Sequence, residues 1–522
     1  MLAVKILTLL VTTGCLMGAA PAAPVAPAAP KPAPAAPVAP AAPVAPKPAP
    51  AAPGAPVATK PATKPTIAQA PSLQARAADL AARFERESRG RAGIAVVDLL
   101  TGRQVLAVRA DEPFMPASNQ KLLTSIFALE RLGADFRFAT GAYVLDGDVV
   151  VSGEFDPTFG DPLIAAEAGR DIYAELDRWA TAVRAAVAGK PVRNVLVVSP
   201  PGSPARHPDW PAAQRDQWFA APVGTLNFND NCMDVSFAGA AGKLTPVLSP
   251  AGRFFRIDNR LKIDPGKPNR WSLRGVGDEQ AFILSGVVGR AGDEPISVAV
   301  DNPDLLLGRT LADRLERAGV KVAGSIRRTL PDQVDWTRAK IVAATQTPLS
   351  AALHRANKRS LNMVAECILL RAGDGTWPGS TQMLARTLTE KFRLPPGSIS
   401  PADGSGLSRR NLVTPAAMAS LLAAAARRDY AMVLLRSLSV AGVDGTLSKR
   451  FLKSPCRGRI LGKTGYIAGV SALSGYVLDE QGRVRYSFSV LGNRLRGGTD
   501  PAKDLQETIC EMLCQSATAG KQ

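Results

Sequence analysis

The chain has 522 residues, of which 46% are hydrophobic and 21% charged, so wholesale disorder is excluded and about three ordinary domains are expected. The formal net charge of +18 indicates anionic partners or a basic compositional bias. With 5% aromatic residues and no RNA-binding or zinc-finger motif, we expect no nucleic-acid ligand. Only two histidines and no CxxC pair occur, which excludes zinc sites built on them, and we expect no metal or other cofactor.

Residues 1–20 have the pattern of an export signal. Lys5 is the single charge, the apolar stretch runs from Ile6 to Gly18, and small residues follow. The stretch is shorter than the roughly 20 residues that a membrane-spanning helix needs. The alternative is a lipoprotein signal ending at Cys15, although Thr12 stands where leucine is usual. Both interpretations predict export to the periplasm or cell envelope.

Residues 21–72 are rich in proline, alanine and valine and contain no acidic residue. Proline fixes φ and lacks an N–H group, so this segment is not expected to pack as helix or sheet. We expect a disordered, extended tether that associates the folded part with a membrane or the cell wall, or else a passive spacer.

Folded character is predicted from Ser72 onwards. The spacing of apolar residues predicts an amphipathic helix over Ser72–Ser88, and alternation predicts strands over Gly93–Leu99 and Gln104–Val108. A second helix is predicted over Leu122–Leu132, ended by Gly133.

Residues 142–339 have a different sequence pattern, with strand-like runs among many proline and glycine turns. Val192–Val198 and Phe282–Val288 are predicted strands, and Leu305–Ala318 is the clearest helix. We expect a β-rich region here, comprising two subdomains.

Helical patterns return after residue 340, at Leu361–Arg371 and Pro415–Ala426. The remaining predicted elements are strands over Arg459–Tyr466, Ser471–Leu478 and Arg483–Leu491 and a helix over Pro501–Cys514. Because helices and strands lie at both ends, we expect residues 73–141 and 340–522 to form one α/β domain, with 142–339 inserted into it.

Ser118 and Lys121 form an SxxK pair at the start of the second helix. Residues three apart share a helix face, so the lysine can reach the hydroxyl. A serine nucleophile needs a nearby base, and lysine serves when burial or neighbouring cations lower its pKa. Alone, the pair has a simpler interpretation, with Ser118 capping the helix and Lys121 solvated.

Two further motifs support the catalytic interpretation. Ser360 and Asn362 form an SxN motif at a helix start, and Lys463, Thr464 and Gly465 form a KTG motif on a predicted strand. SxxK, SxN and KTG, each present once and in this order, are the signature of penicillin-binding proteins and serine β-lactamases.

The chain resembles the class C low-molecular-mass penicillin-binding proteins, the D-alanyl-D-alanine carboxypeptidase/endopeptidase family, from about residue 73 to 515. The resemblance implies an α/β transpeptidase/β-lactamase-like fold, an antiparallel sheet flanked by helices, with a large β-rich insertion between the first two motifs. Other stretches similar to that family are Gly153–Thr158, Asn227–Asn231, Asp403–Arg409 and Gly445–Leu447.

The resemblance also implies roles for the motif residues. Ser118 would attack the carbonyl between two D-alanines of a peptidoglycan stem peptide, and Lys121 would take its proton. Ser360 would relay a proton to the leaving amine, and Asn362 would bind the substrate backbone.

The KTG strand would bind the terminal carboxylate through Lys463 and Thr464, beside Gly465. The backbone N–H groups of Ser118 and Tyr466 would form the oxyanion hole. β-Lactams would acylate Ser118 as covalent inhibitors.

Two positions depart from the family pattern. Tyr466 stands where threonine or serine usually follows KTG, which puts carboxypeptidase efficiency in question. Relatives place an aspartate after a Trp-Pro stretch to hold the amine of a diaminopimelate side chain, whereas here Gln214 occupies that position. Asp216, two residues further on, is the candidate that a register shift would bring into place.

Two other functions stay open at this point. One is a serine β-lactamase that uses the same motifs, although the insertion is long for that compact fold. The other is a non-catalytic peptidoglycan-binding protein whose site has decayed.

Overall fold

The structure is a computed structural model, and it describes residues 72–239, 243–276, 281–292 and 294–519. The export signal predicted over 1–20 lies outside the described residues, as does the tether predicted over 21–72 except for Ser72. All described residues belong to one compact unit, Pro71–Gln522.

The described residues contain both single strands between helices and runs of consecutive strands, the longest spanning residues 232–299. In chain order the strands are β1 Arg91–Asp98, β2 Gln104–Val108, β3 Arg137–Leu145, β4 Asp148–Gly153, β5 Val195–Val198, β6 Cys232–Ala238, β7 Thr245–Ser249, β8 Arg256–Ile263, β9 Arg270–Val276, β10 Ala281–Val288, β11 Ile296–Ala299, β12 Ile326–Thr329, β13 Lys340–Pro348, β14 Ile399–Ser400, β15 Leu412–Val413, β16 Ser439–Val440, β17 Ile460–Ile467, β18 Val470–Leu478 and β19 Val484–Asn493.

The helices range from one and a half to five or more turns. They are α1 Leu73–Ser88, α2 Gln120–Leu132, α3 Pro162–Glu167, α4 Ala174–Val187, α5 Pro303–Arg317, α6 Leu349–Lys358, α7 Asn362–Ala372, α8 Trp377–Phe392, α9 Pro415–Ala425, α10 Ala431–Ser437 and α11 Asp500–Ala519.

A six-stranded antiparallel sheet carries the site described below. Its order is β16-β17-β18-β19-β1-β2, so strands from the two ends of the chain meet where β19 pairs with β1. One face packs against α1 and α11 around Phe84, Phe488 and Leu513. The other face packs against a helical layer that includes α2, α7 and α9, with Phe127, Ile368 and Leu422 in its core.

Local sequence explains how α2 is placed. Its apolar residues recur at helical spacing, and Leu122, Leu123, Ile126 and Phe127 are all completely buried. Gly133 ends the helix in a positive-φ conformation and donates its N–H to the Leu129 carbonyl at 3.1 Å, as predicted.

The region between β3 and β13 contains three sheets. A five-stranded sheet has the order β12-β5-β4-β3-β13, and two three-stranded sheets have the orders β8-β10-β9 and β11-β6-β7. Trp179 of α4 and Leu307 of α5 pack with Val151, Leu284 and Met233 in a core separate from that of the six-stranded sheet.

Most predicted elements agree with these bounds. The helix beginning near Ser72, the first two strands and the final three-stranded meander are confirmed. The predicted strand over Val192–Val198 is shorter in the structure, because only Val195–Val198 pair as a strand. The division at residues 142–339 stays a prediction. Strand β3 crosses its first boundary and β13 begins just after its second, yet both belong to the five-stranded sheet.

Cysteine pairing, which the sequence left open, is resolved for the described residues. Cys456 and Cys514 form a disulfide that ties the last helix to the loop before β17. Cys232, Cys367 and Cys510 are free and buried. Within the described ranges, none of the helices combines the length and apolar character needed to cross a membrane.

Candidate active site

Ser118 lies in a 3-10 turn, Ala117–Asn119, that leads directly into α2. The sequence placed Ser118 at the N-terminus of the α-helix, whereas the α-helix begins two residues later, at Gln120. The i, i+3 relation still brings the Lys121 ammonium to 3.0 Å from Ser118 Oγ. Ala117 has a φ of 46°, an unfavourable conformation for alanine that the packed surroundings maintain next to Ser118.

Lys121 is completely buried, and its ammonium has three oxygen partners. Besides Ser118 Oγ, Nζ donates to Asn362 Oδ1 at 2.6 Å and to the Ser405 carbonyl at 2.8 Å. Burial lowers the pKa of Lys121 to about 7, although the negative charges of Asp403 and Glu366 oppose the shift. A large fraction of this lysine is therefore neutral near neutral pH.

Ser360 and Lys463 form the second pair of the site. Lys463 is completely buried, and Nζ donates to Ser360 Oγ at 2.9 Å and to the Thr464 carbonyl at 2.8 Å. Burial, followed by the positive charge of Lys121, holds the pKa of Lys463 well below its usual range. Ser360 itself has a φ of 61°, the second strained residue of the site.

Two lysines that share a pocket can lower each other's pKa. For Lys463 this interaction is present but smaller than burial, and for Lys121 burial is the largest cause. The low pKa of Lys121 thus comes mainly from the removal of water around it.

Strand β17 lies against Ser118. A Cβ on Gly465 would come within 2.7 Å of the Pro116 carbonyl and 3.1 Å of the Ser118 nitrogen, so only glycine permits this approach. Thr464 and Tyr466 are two residues apart and present their backbone polar groups to the same strand edge, where the Thr464 carbonyl contacts Lys463. The phenol of Tyr466 is 69% exposed at the rim.

Side chains outside the motifs hold this strand in place. Asn119 donates to the Lys463 carbonyl at 2.6 Å and accepts from Ser474 at 2.7 Å. Thr464 Oγ1 lies 2.8 Å from the hydroxyl of Thr446, which belongs to the stretch Gly445–Leu447 singled out in the sequence.

Asn362 connects the site to the inserted region. While its Oδ1 accepts from Lys121, its Nδ2 donates to the Phe219 carbonyl at 2.8 Å. A small cavity of about 70 Å³ adjoins Asn362 and is lined in part by Trp218 and Asp230. The segment around Phe219 therefore forms one wall beside the motif residues.

The stretch Asp403–Arg409, singled out in the sequence, forms a loop that supports the ammonium of Lys121. Residues 403–408 supply the Ser405 carbonyl to Lys121, and a Cβ on Gly406 would come within 1.8 Å of the Ala117 carbonyl. Asp403 orders the loop by accepting the N–H groups of Gly406 at 2.7 Å and Ser408 at 2.6 Å. The loop therefore lies against both Lys121 and the turn that carries Ser118.

Glu366 is a buried residue of the site that the sequence did not single out. Its carboxylate accepts the N–H of Ser405 at 2.8 Å, the N–H of Gly404 at 2.9 Å and the indole N–H of Trp377 at 2.9 Å. Burial, reinforced by the charge of Asp403, raises the pKa of Glu366 to about 7. Its position one turn after Asn362 on α7, with a charge among apolar residues, was the available sequence signal.

Asp216 is not part of this cluster. It lines a cleft of about 390 Å³ together with Arg274 and Asp301, and none of its described contacts reaches a motif residue. Asp209 is the inserted-region carboxylate that contacts the loop instead, accepting from Ser408 Oγ at 2.6 Å and Arg410 at 2.6 Å. The amine-binding role of Asp216 stays a prediction that its position does not favour.

A metal would need ligands that this part of the protein does not offer. Within the described ranges, no group of three or more histidine, cysteine, aspartate or glutamate side chains is arranged to hold one. The chemistry available at Ser118 is that of a buried base, paired hydroxyls and backbone N–H donors.

Most of the chain is similar to known proteins. The profile of the D-Ala-D-Ala carboxypeptidase 3 (S13) family matches residues 73–515. A D-alanyl-D-alanine carboxypeptidase from Actinomadura sp. (strain R39) is 31% identical over 454 residues, which are 81% of this chain and 81% of that protein. The D-alanyl-D-alanine carboxypeptidase DacB of Haemophilus influenzae is 25% identical over 397 residues, 73% of this chain and 81% of that protein.

A solved structure has the same fold. The crystal structure of penicillin binding protein 4 from Haemophilus influenzae superimposes with a TM-score of 0.66 at 21% identity, covering 83% of this chain and 99% of that one. The predicted fold class, an α/β transpeptidase/β-lactamase-like domain with a large β-rich insertion, is therefore confirmed.

Proposed function

The chain belongs to the D-Ala-D-Ala carboxypeptidase 3 (S13) family, and from that membership we propose that it is an exported serine-type D-alanyl-D-alanine carboxypeptidase/endopeptidase acting on peptidoglycan. The predicted resemblance to low-molecular-mass penicillin-binding proteins is confirmed at the level of the family. The catalytic assignments below are our proposal, and the geometry around Ser118 supports them.

The observation that carries the proposal is the contact between Lys121 and Ser118. A completely buried lysine with a pKa of about 7 lies 3.0 Å from a serine hydroxyl. Such a lysine is an effective general base near neutral pH, because its neutral form is populated while it still has appreciable basicity.

In the proposed reaction Ser118 Oγ forms a bond to the carbonyl carbon between two D-alanines while its proton passes to Lys121. The backbone N–H groups of Ser118 and Tyr466 stabilise the oxyanion. The C–N bond then breaks, and the leaving amine takes a proton through Ser360. Water hydrolyses the resulting ester and frees Ser118. A carboxypeptidase releases the terminal D-alanine, and an endopeptidase releases the cross-linked strand.

The other motif residues have roles in substrate binding in this proposal. Lys463 and Thr464 bind the terminal carboxylate, and Gly465 allows the substrate to lie against β17. Asn362 orients the substrate backbone, and it also holds the ammonium of Lys121 in place. β-Lactams, which mimic the acylating peptide, form the same bond with Ser118 and block the site.

The proposal is tested on the wild-type chain with two parallel assays. We expect intact mass to show one persistent adduct after incubation with benzylpenicillin, and D-alanine to be released from a stem pentapeptide. Rapid consumption of penicillin without D-alanine release would instead identify a β-lactamase. Binding to peptidoglycan with neither reaction would identify a non-catalytic wall-binding protein.

The pH dependence tests the electrostatic role of Glu366. Because Lys121 acts as a base only when neutral, acylation by benzylpenicillin should rise as the pH increases through about 7. Replacing Glu366 with glutamine removes a negative charge that favours charged Lys121, so the midpoint should move to lower pH. The plateau rate should also fall severalfold, because glutamine accepts only one of the two loop N–H groups.

The measurement is the second-order acylation rate from about pH 5 to about pH 9 for Glu366→Gln and a surface control. Glu390→Gln is the control, since Glu390 is largely exposed and pairs only with Arg386. A lower plateau with an unmoved midpoint would show that Glu366 merely supports the loop.

Export is proposed from residues 1–20, and association with the membrane or wall from the tether over 21–72. Protein recovered from the cell envelope should begin after the signal, or carry a lipid on Cys15 if the lipoprotein alternative holds. N-terminal sequencing of the mature chain decides between them, and an intact Met1 would contradict export.

A further inference from the structure

The outer face of the sheet β8-β10-β9 carries an unusual set of side chains. Ile283 of the central strand stands opposite Asp258 on β8 and Arg274 on β9, and residues directly opposite each other share a face. The same face therefore contains Arg256, Arg260 and Lys262 of β8, Ser285 and Val287 of β10, and Arg270 and Ser272 of β9. The opposite face, with Leu273, Phe282 and Leu284, is buried in the core of the insertion.

This surface, called the basic face below, has five cations and one carboxylate. The carboxylate, Asp258, pairs with Arg260 at 2.6 Å. Arg256, Lys262, Arg270 and Arg274 are exposed and form no ion pair with any described residue. The whole chain has 63 basic and 45 acidic residues, so a ratio of five to one on three strands exceeds the general basic bias.

The arrangement of the charges is regular. Adjacent strands lie about 4.8 Å apart, so the cations of β8 and β9 form two rows roughly 10 Å apart. The strip between them consists of Ala281, Ile283, Ser285 and Val287, which are small or apolar and leave no charge at the centre. Two rows of cations with an uncharged strip between them suit an extended polymer that carries anionic groups on both sides.

We propose that the basic face binds a peptidoglycan strand through the free carboxylates of its stem peptides. The inference rests on the proposed function, and it adds a contact with the wall polymer outside the Ser118 site. Several weak charge contacts on one polymer give substantial avidity, and they hold the enzyme on its substrate between cleavage events.

An anionic lipid surface is the other class of partner for such a face, but the structure favours the polymer. Proteins that lie on membranes insert large apolar or aromatic side chains between the lipids. On the basic face the apolar residues, Ile283 and Val287, are half-buried on the central strand, and its described residues include no aromatic side chain. Trp271, the aromatic residue of β9, points to the opposite side and packs against Phe237 with ring centroids 5.4 Å apart.

The test compares two full-length variants with equal charge changes. The first is Arg256→Gln/Lys262→Gln/Arg270→Gln/Arg274→Gln. The control neutralises four exposed cations on other elements, Arg86→Gln/Arg103→Gln/Lys321→Gln/Lys453→Gln. Both are made with and without Ser118→Ala, so that the Ser118→Ala forms bind sacculi without cutting them. The probe is purified peptidoglycan sacculi freed of phosphate polymers, in a pelleting assay at low and at physiological salt.

We expect the first variant to bind sacculi at least tenfold more weakly and the control to bind within about twofold of the parent. Binding by the parent should fall as salt rises and when the carboxylates of the sacculi are amidated. Acylation by benzylpenicillin, measured on the forms that keep Ser118, should be the same in all. That readout separates a failure of the proposed function from a failure of this inference.

Three outcomes would overturn the inference. Equal binding of sacculi by the two variants would show that the basic face is only a solvated surface. Unchanged binding to amidated sacculi would show that carboxylates are not the ligand. Stronger binding to vesicles of anionic phospholipid than to sacculi, lost in the first variant, would assign the face to a membrane.

Discussion

Replacing Ser118 with alanine will abolish both the penicillin adduct and the release of D-alanine. The change removes a single oxygen, the one that lies 3.0 Å from the ammonium of Lys121, and leaves the 3-10 turn intact. Loss of a nucleophile costs about four or more orders of magnitude in rate, because the remaining groups only bind and polarise the substrate.

The comparison is intact mass after incubation with benzylpenicillin, together with D-alanine release, for wild type, Ser118→Ala and Ser272→Ala. Ser272 is an exposed serine on β9, and its variant should behave as wild type. An adduct that persists in Ser118→Ala would locate the nucleophile elsewhere and remove the basis of the proposed mechanism.

Replacing Lys121 with methionine will reduce acylation by about two to four orders of magnitude while leaving the fold intact. Methionine fills a similar volume but cannot accept the Ser118 proton. Burial lowers the pKa of Lys121 to about 7 from an ordinary value near 10.5, so folding disfavours its charged form.

The sign of the stability effect follows from that shift. Above the ordinary pKa the lysine is neutral in both states, and burial of a charge costs nothing. As the pH falls towards 7 the unfolded chain binds the proton first, which destabilises the folded state. Lys121→Met lacks this penalty, so it should unfold at a temperature no lower than wild type at neutral pH.

Thermal unfolding and acylation rates, measured on the same preparations, test both parts. A variant that is stable and slow supports Lys121 as the base. Acylation at the wild-type rate would contradict that role, and a strongly destabilised protein would show that the hydrogen bonds to Asn362 and Ser405 outweigh the burial penalty.

The part of the site that could be predicted depends on short, ordered motifs. Ser118 with Lys121, and Lys463 with Gly465, are fixed by spacing along a helix and a strand, so their local geometry follows from the sequence. The helix that begins at Gln120 shows the limit of such patterns. Its apolar periodicity predicts the helix, but it does not predict the 3-10 turn that precedes it.

The groups outside the motifs that surround Lys121 could not be predicted, because they reach it only through tertiary contacts. The Ser405 carbonyl reaches Lys121 across 284 positions of sequence, and a backbone carbonyl has no residue signature. Glu366 resembles any helical glutamate until α7 is known to be buried against the loop. The helix α4 was missed for another reason. Proline and glycine turns dominate its surroundings, although Leu176, Trp179 and Val183 do recur at helical spacing.

The pairing of β1 with β19 has a consequence for the order in which the enzyme is made. Arg91 is aligned with Asn493, so the central sheet cannot close until almost the whole chain has been synthesised. The strands and helices between β3 and β13 are contiguous in sequence, so their mutual contacts become available before β19 is synthesised. Ser118 is thus synthesised long before the strand that bears Lys463, so the proposed site can be complete only after the last strands are in place.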